Sequence, residues 1–247
     1  MANLVIDIGN TFIKFAIFEG NKILFADQFE DIGNDFFENL CNKFTIKKAI
    51  ISTVKSENGL WQTSLANNIE VVYFNRGMTN GINNHYKTPE TLGLDRLAAL
   101  IGTKYLYPQK NALIIDGGTC ITYDWIDFEG NYYGGSISPG LNMRYKALNH
   151  YTSGLPLVGS SNDFNENFGN NTLSAIQSGV QNGIKYELEG FINNYKNNNQ
   201  DFNIILSGGD SIFFDTLLKN SIFAPCIKIE PQLVLIGLNA AILNYND

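Results

Sequence analysis

The sequence predicts an α/β protein built from two copies of one unit, and three observations carry that prediction. Strand-like and helix-like segments alternate along most of the chain. The segment LVIDIGNTFIKFAIFEGNKI near the N-terminus has a counterpart in LIIDGGTCITYDWIDFEGNYY: each has an apolar lead, an Asp, a Gly two residues later, a Thr, a second strand and an EGN turn. Asp7 and Asp116 stand too far apart for a solenoid repeat and at a separation suited to two copies of a domain.

At 247 residues and 44% hydrophobic content the chain holds enough apolar material for a substantial core. The duplication divides it into an N-terminal part, 1–110, and a C-terminal part, 111–247. A net charge of −7 without any Lys/Arg block removes the electrostatic footprint of a nucleic-acid binder. Cys41, Cys120 and Cys226 are odd in number, widely spaced and without a CxxC pair, which suits neither a disulfide framework nor a zinc site and points to a reducing cytoplasm. No basic-then-apolar leader stands at the N-terminus and no apolar run approaches the roughly 18 residues that span a bilayer, so no membrane role is expected.

Residues 4–29 read as three short strands, the last two joined at Glu19, Gly20 and Asn21 in a hairpin turn. Residues 33–44 read as a helix, KKAIISTV (47–54) as a buried strand by its β-branched run, WQTSLANN as a helix and EVVYFN (70–75) as a strand. Between Arg76 and Pro89, Gly77, Gly81, Asn83 and Asn84 are too many breakers for a regular element. LGLDRLAALIGTKYLY then places apolar residues at 94, 97, 98, 101 and 105 on one helical face before Pro108 ends the run. Strands return through NALIIDGGTCITYDWIDFEGNYYGGSISPG, followed by a helix, an irregular stretch containing NDFNENFGNN, and a long helix over 172–195. NNYKNNNQDFN reads as a polar surface loop, NIILSGGD as an apolar strand stopping at two glycines, and LVLIGLNAAILNY as an apolar helix for the core or for packing between subunits.

Three apolar strands thus end in polar, Gly-containing turns: DIGNT, DGGT and SGGD. One such turn is a hairpin signal; three suggest phosphate chemistry, because Gly lets backbone N–H groups approach phosphate oxygens while Asn and Thr add donors. An Asp repels phosphate directly but holds a hydrated Mg²⁺ that bridges to it, and Lys14 is placed to neutralise phosphate charge. There is neither a GxxxxGKS/T nor a GxGxxG, so the P-loop and dinucleotide folds are disfavoured.

DIGNT, GLDR at 93–96, DGGTCITYD at 116–124, GGSISPG at 134–140, TSGLP at 152–156, NTLSAIQSG at 171–179 and SGGD at 207–210 stand in the order and at the spacing of the type III pantothenate kinases. The chain resembles that family over nearly its whole length. The resemblance implies the duplicated fold of actin, Hsp70 chaperones and sugar kinases: two actin-like (ribonuclease H-like) domains, each a mixed β-sheet flanked by helices. It implies ATP-dependent phosphorylation of the primary hydroxyl of pantothenate to 4'-phosphopantothenate, the first step of coenzyme A biosynthesis, with Mg²⁺ accompanying ATP and K⁺ or NH₄⁺ as a further cation. It also implies a cytoplasmic homodimer whose substrate site is completed by the partner subunit.

By the same resemblance Asp7, Ile8, Gly9, Asn10, Thr11 and Lys14 serve the ATP phosphates, Asp7 reaching Mg²⁺ through water. Thr119 belongs to the second phosphate loop, Gly208 and Gly209 to the adenosine turn, and Asp116 to the monovalent cation. Asp95 matches the general base, while Tyr86, Gly93, Leu94, Arg96 and Thr172 match the pantothenate site. Each also has an ordinary structural reading. Asp95 suits the first turn of a helix, where the dipole welcomes an acid, and Arg96 suits an ion pair with Glu90. Tyr86 suits packing, Thr172 the N-cap of the helix it opens, and Asp116 a turn. In favour of the substrate role, Gly93 permits close approach and Arg96 supplies a planar cation suited to the carboxylate that pantothenate carries.

The chain departs from the family pattern at Gly117 and Cys120, where an apolar residue and Ala are commoner, at Ser207 in place of Thr, and at Ser153 in place of Ala. The extra Gly117 is expected to add freedom without removing a donor. His85 and His150 lie far apart and are expected to be structural or surface residues rather than a metal or hydrolase site. Two other functions remain open, a non-catalytic transcriptional accessory protein on the same fold and a kinase for another small hydroxyl compound. The set Asp7, Lys14, Asp95 and Asp116, which a pseudoenzyme is free to lose, is intact here.

Overall fold

The chain opens with β1 (Ala2–Ile8), β2 (Ile13–Glu19), β3 (Lys22–Phe29), α1 (Phe36–Phe44), β4 (Ile46–Thr53), α2 (Leu60–Asn68) and β5 (Glu70–Tyr73). It continues through β6 (Asn83–Asn84), α3 (Leu94–Leu106), β7 (Asn111–Gly117), β8 (Cys120–Ile126), β9 (Asn131–Pro139) and α4 (Leu141–Tyr151). The last elements are α5 (Thr172–Lys196), β10 (Phe202–Gly208), α6 (Ser211–Leu218), β11 (Ile227–Ile229) and α7 (Leu233–Leu243). The computed structural model describes residues 2–33, 35–53, 60–161, 164, 166–196 and 201–246. Residue 34 of the expected helix, residue 54 of the expected strand, residues 162, 163 and 165 of the irregular stretch and 197–200 of the polar loop lie outside the described residues.

Two compact units form, one from Met1–Pro108, Glu129–Tyr133 and Gln232–Asp247, the other from Gln109–Phe128 and Gly134–Pro231. The first holds a sheet in the order β3-β2-β1-β4-β5. There β1 and β2, and β2 and β3, are antiparallel, whereas β1, β4 and β5 run parallel. The second repeats the plan as β11-β10-β7-β8-β9, with β7 antiparallel to β8 and parallel to β10, and β10 parallel to β11. The repeat reaches individual registers: Asp7 pairs with Ser52 of the parallel neighbour, and Asp116 with Ser207.

In the first unit one face of the sheet packs on α1 and α2 through Leu4, Ile6, Ile17, Ile51 and Leu65. Phe15 is fully buried there, with the rings of Phe36 and Phe37 edge-on at 5.4 Å. A buried Phe of this kind contributes about 2–3 kcal/mol. The C-terminal α7 is apolar all round and accordingly buried, with Leu233, Leu235, Leu238 and Ile242 all inaccessible. It crosses α3 nearly backbone to backbone: a Cβ on Gly237 would stand 1.8 Å from the Ala98 carbonyl oxygen. The second unit buries Leu113, Ile115, Tyr123, Ile184, Leu188 and Phe214 in its own core.

Several short elements escape the sequence pattern, among them a 3-10 turn at Ala224–Cys226. β6 is two residues long inside the loop expected to be irregular, a 3-10 turn spans Pro89–Thr91, α6 follows directly on the SGGD turn, and β11 has three residues. The two- and three-residue elements are too short to establish a period, and α6 covers little more than two turns. No described helix is long and apolar enough to cross a membrane.

Candidate active site

The turn between β1 and β2 is closed by the Gly9 N–H donating to the Phe12 carbonyl at 3.0 Å. Ile8 is buried and anchors the strand end, which leaves Asn10 and Thr11 exposed at the tip. Asp7 and Lys14 are directly opposed across the ladder and both half-buried. Opposed residues of an antiparallel pair project from one face with Cβ atoms roughly 4.5–5.5 Å apart, so a carboxylate and an ammonium share the face beside the turn. In the second unit Thr122 occupies the position opposite Asp116, so only the first turn carries a cation there.

The second turn is fastened on three sides. Gly118 N–H donates to Cys120 O at 3.0 Å, Asp210 N–H to Gly117 O at 3.1 Å, and Gly140 N–H to Thr119 O at 3.2 Å. Thr119 remains exposed, as does Gly209. Gly208 has φ +78, and a Cβ on it would stand 2.2 Å from Asp116 Oδ1 and 2.3 Å from Gly117 O. Only glycine fits beneath that carboxylate and carbonyl.

Gly117 corrects one expectation. It does not supply freedom; a Cβ here would lie 2.4 Å from Cε2 and 2.6 Å from Cζ of the buried Phe214 on α6. The glycine makes room for a ring, so the unusual Gly117 and Phe214 form one packing unit.

Behind the second turn, Arg144 of α4 donates through Nε to Pro139 O at 2.8 Å and through Nη2 to Ser138 Oγ at 2.7 Å and Glu187 Oε2 at 2.6 Å. Tyr123 Oη donates to Glu187 Oε1 at 2.8 Å. Burial works to raise the Glu187 pKa, but hydrogen bonds from Ser138, Arg144 and Tyr123 with the nearby guanidinium outweigh it and hold the carboxyl below its ordinary value. Burial first, then the carboxylate, drives the Tyr123 phenol far up, and burial lifts Tyr145 to about 12. The network ties β8, β9, α4 and α5 together, and with them the 138–140 segment that holds Thr119.

In the first unit, Asp95 is exposed in the first turn of α3. Its Oδ1 accepts the Arg96 N–H at 2.8 Å, and a Cβ on Gly93 would stand 2.4 Å from that oxygen. The close approach that Gly93 permits is therefore that of Asp95 itself. Leu94, the first residue of α3, is half-buried. Arg96 is buried, and its Nη2 donates to Tyr132 Oη at 2.8 Å. The Tyr86 ring lies 5.8 Å from Arg96 Cζ and stacks on Tyr132 with centroids 6.1 Å apart. Tyr132 is the member that the sequence did not disclose; its signal was only the inward parity of β9, where it is flanked by less buried neighbours. The Tyr86 loop is itself tethered, by Arg76 Nε to Leu92 O at 2.9 Å and Lys104 Nζ to Gly81 O at 2.5 Å.

His85 stacks on Tyr133 at 4.6 Å and sits 3.2 Å from Asn131 Oδ1, while His150 lies edge-on to Tyr151. Thr172 is the first residue of α5 and exposed, and the cap is its neighbour: Asn171 Oδ1 accepts the Ser174 N–H at 3.0 Å, and Ser174 Oγ accepts the Asn171 N–H at 3.2 Å. This reciprocal capping box leaves the Thr172 hydroxyl out of the cap. Burial and then Glu38 push the Cys41 thiol up to about 11, which leaves it protonated and a poor nucleophile at neutral pH.

Among the described residues no three His, Cys, Asp or Glu side chains cluster as a metal cage. Mg²⁺ does not need one, since it keeps its waters and binds through one or two carboxylates plus substrate phosphates, and Asp7 beside a donor-rich turn fits that habit. The Asp116 carboxylate and Gly117 carbonyl, converging above Gly208, offer the hard oxygen donors that suit a monovalent cation.

The profile of the type III pantothenate kinase family matches residues 3–194. Relatives of that name include one from Bacteroides fragilis, 42% identical over 99% of this chain and 98% of its own. Another, from Christiangramia forsetii, is 44% identical with 99% and 98% covered. Among solved structures, the activator of 2-hydroxyisocaproyl-CoA dehydratase from Clostridium difficile with bound ADPNP superposes with TM-score 0.58 at 13% identity, covering 100% of this chain and 95% of that one. That likeness bears on the fold, which is the duplicated actin-like α/β arrangement. With a matching profile over most of its length and full-length relatives above 40% identity, the chain belongs to the type III pantothenate kinase family.

Proposed function

We propose that the protein transfers the γ-phosphoryl group of ATP to the primary hydroxyl of pantothenate, forming 4'-phosphopantothenate and ADP at the first step of coenzyme A biosynthesis. The observation that carries this is the placement of Asp95, an exposed carboxylate at the start of α3 beside a buried, oriented Arg96. Family membership supports the identity of the two substrates.

Asp95 accepts the hydroxyl proton as the new O–P bond forms and the bond to the ADP oxygen breaks, a contribution of about 10²–10⁴ in rate. Arg96 pairs with the pantothenate carboxylate, and Tyr86, Gly93 and Leu94 line the same substrate. Phosphoryl transfer asks otherwise for positioning and charge neutralisation. Lys14 supplies a positive charge, and the backbone at Ile8 and Gly9 with the Asn10 and Thr11 side chains supplies donors for the phosphates. Asp7 would hold, through water, the Mg²⁺ that accompanies ATP, and the ion would offset phosphate charge when bound. Thr119 contacts the phosphates from the second turn, Gly208 and Gly209 leave room for adenosine, and Asp116 holds K⁺ or NH₄⁺. We extend the proposal to a cytoplasmic homodimer in which Thr172 of one copy completes the pantothenate site of the other; its exposure, with the cap made by Asn171 and Ser174, supports that role.

A coupled ADP-release assay with pantothenate, with and without K⁺ or NH₄⁺, tests the proposal. Turnover that needs pantothenate and rises with the cation is expected. Turnover with a different hydroxyl compound only would move the substrate assignment, and none at all would remove it.

A further inference from the structure

We infer that Tyr132 is a positioning residue that fixes Arg96 for recognition of the substrate carboxylate, and so helps set the preference for an acid over an uncharged analogue. The inference rests on the kinase reading above and adds to it a residue that touches no reacting atom.

Three site elements refer to this one side chain and its peptide. The Tyr132 hydroxyl accepts a hydrogen bond from Arg96 Nη2 at 2.8 Å in a buried setting. Its ring, fully inaccessible, stacks on Tyr86. Its backbone carbonyl accepts the His85 N–H at 2.8 Å, and β6 and β9 pair Asn84 with Tyr132 in parallel, which fixes the peptide immediately before Tyr86. Arg96, Tyr86 and the short strand β6 that leads into Tyr86 therefore share a single reference point within the first unit.

The chemistry of this contact matters. A phenol oxygen orients a guanidinium but carries no charge, so it directs the planar fork while leaving the cation's charge uncancelled by that contact. Arg recognises a carboxylate through two parallel N–H···O bonds, and that recognition depends on the plane of the fork. Tyr86 guards the same plane from one side, with its ring 5.8 Å from Arg96 Cζ. Removing the Tyr132 hydroxyl deletes a bond from a charged donor while preserving ring volume and stacking. The expected loss is selective for the substrate end that carries the charge.

Steady-state kinetics on the full chain separate this from a purely structural role. The wild type and Tyr132→Phe are compared with pantothenate and with the analogue in which the carboxylate is replaced by a hydroxymethyl group. For Tyr132→Phe, KM for pantothenate should rise about tenfold or more, the loss of a hydrogen bond to a charged group, while kcat and KM for ATP stay near wild type. The preference for the acid over the analogue should shrink by a similar factor. Tyr132→His, which keeps a ring and an acceptor, should recover part of that preference. Equal weakening of both substrates, or an unchanged preference in a folded variant, would overturn the inference. A wild type inert toward pantothenate would refute the parent reading and this one with it, whereas an active wild type with an indifferent Tyr132→Phe refutes this one alone.

Discussion

Asp7 stands directly opposite Lys14 in the antiparallel ladder of β1 and β2, so that the two side chains leave one face of the sheet next to the exposed Asn10 and Thr11. A structural ion pair and a phosphate clamp make different predictions for this arrangement. If the pair serves ATP, Asp7→Ala and Lys14→Met should each lower turnover by about a hundredfold or more, the scale on which a single charge-stabilising group acts. Thermal unfolding should move little, because even an ion pair between such half-buried side chains would be worth only about 0–1 kcal/mol. A large fall in melting temperature with turnover preserved would assign the pair to the fold.

Gly117 and Phe214 should behave as one unit. Gly117→Ala overpacks the site and should destabilise by about 1–3 kcal/mol in urea unfolding. In the Gly117→Ala background, Phe214→Leu should cost less than it does alone, giving a favourable coupling in a double-mutant cycle. Additive effects would mean that the ring can step aside.

Glu187 sets an acid limit. Its carboxyl is held below the ordinary value in the folded protein, so the stability it contributes is present above the unfolded-state pKa and is lost as pH falls through the folded one. Urea midpoints should therefore fall on acidification below the usual glutamate range. Glu187→Gln should flatten part of that slope and cost about 1–3 kcal/mol at neutral pH, from the charged hydrogen bonds it gives up. An unchanged acid slope in the variant would place the acid sensitivity elsewhere.

Asn171 and Thr172 divide two roles that the sequence left on one hydroxyl. Asn171→Ala should cost about 1 kcal/mol of stability as a lost N-cap, whereas Thr172→Ala should leave stability within a few tenths of a kcal/mol. If Thr172 serves pantothenate, its variant should raise KM for pantothenate and leave KM for ATP unchanged. A loss of stability in Thr172→Ala equal to that of Asn171→Ala would return it to the helix terminus.

The features legible in the sequence are those written in neighbouring residues. The β-branched runs, the EGN turns and the apolar face of α3 need only local pattern, and the duplication follows from comparing two such stretches. The same is true of the Gly-containing turns, whose strand-end positions the structure reproduces at Ile8, Gly117 and Gly208. What escaped depends on partners far apart in the chain. Gly117 looked like added freedom because Phe214, which needs its space, is remote in sequence. Tyr132 went unnoticed in the sequence because its bond to Arg96 spans 36 positions. Asn171 was obscured because the cap and the first helical residue are both capping types, and only the hydrogen bond separates them.

Product analysis tests the phosphoryl-transfer reading at its core: phosphorus NMR and mass spectrometry of reactions containing ATP, Mg²⁺, K⁺ and pantothenate, run with the wild type and with Asp95→Asn. The wild type should yield ADP and pantothenate phosphorylated at its primary hydroxyl, and Asp95→Asn, which keeps the shape of the side chain but not its basicity, should be slower by about 10²–10⁴. An unmodified pantothenate with the wild type, or an Asp95→Asn variant that forms the same product at the wild-type rate, would contradict it.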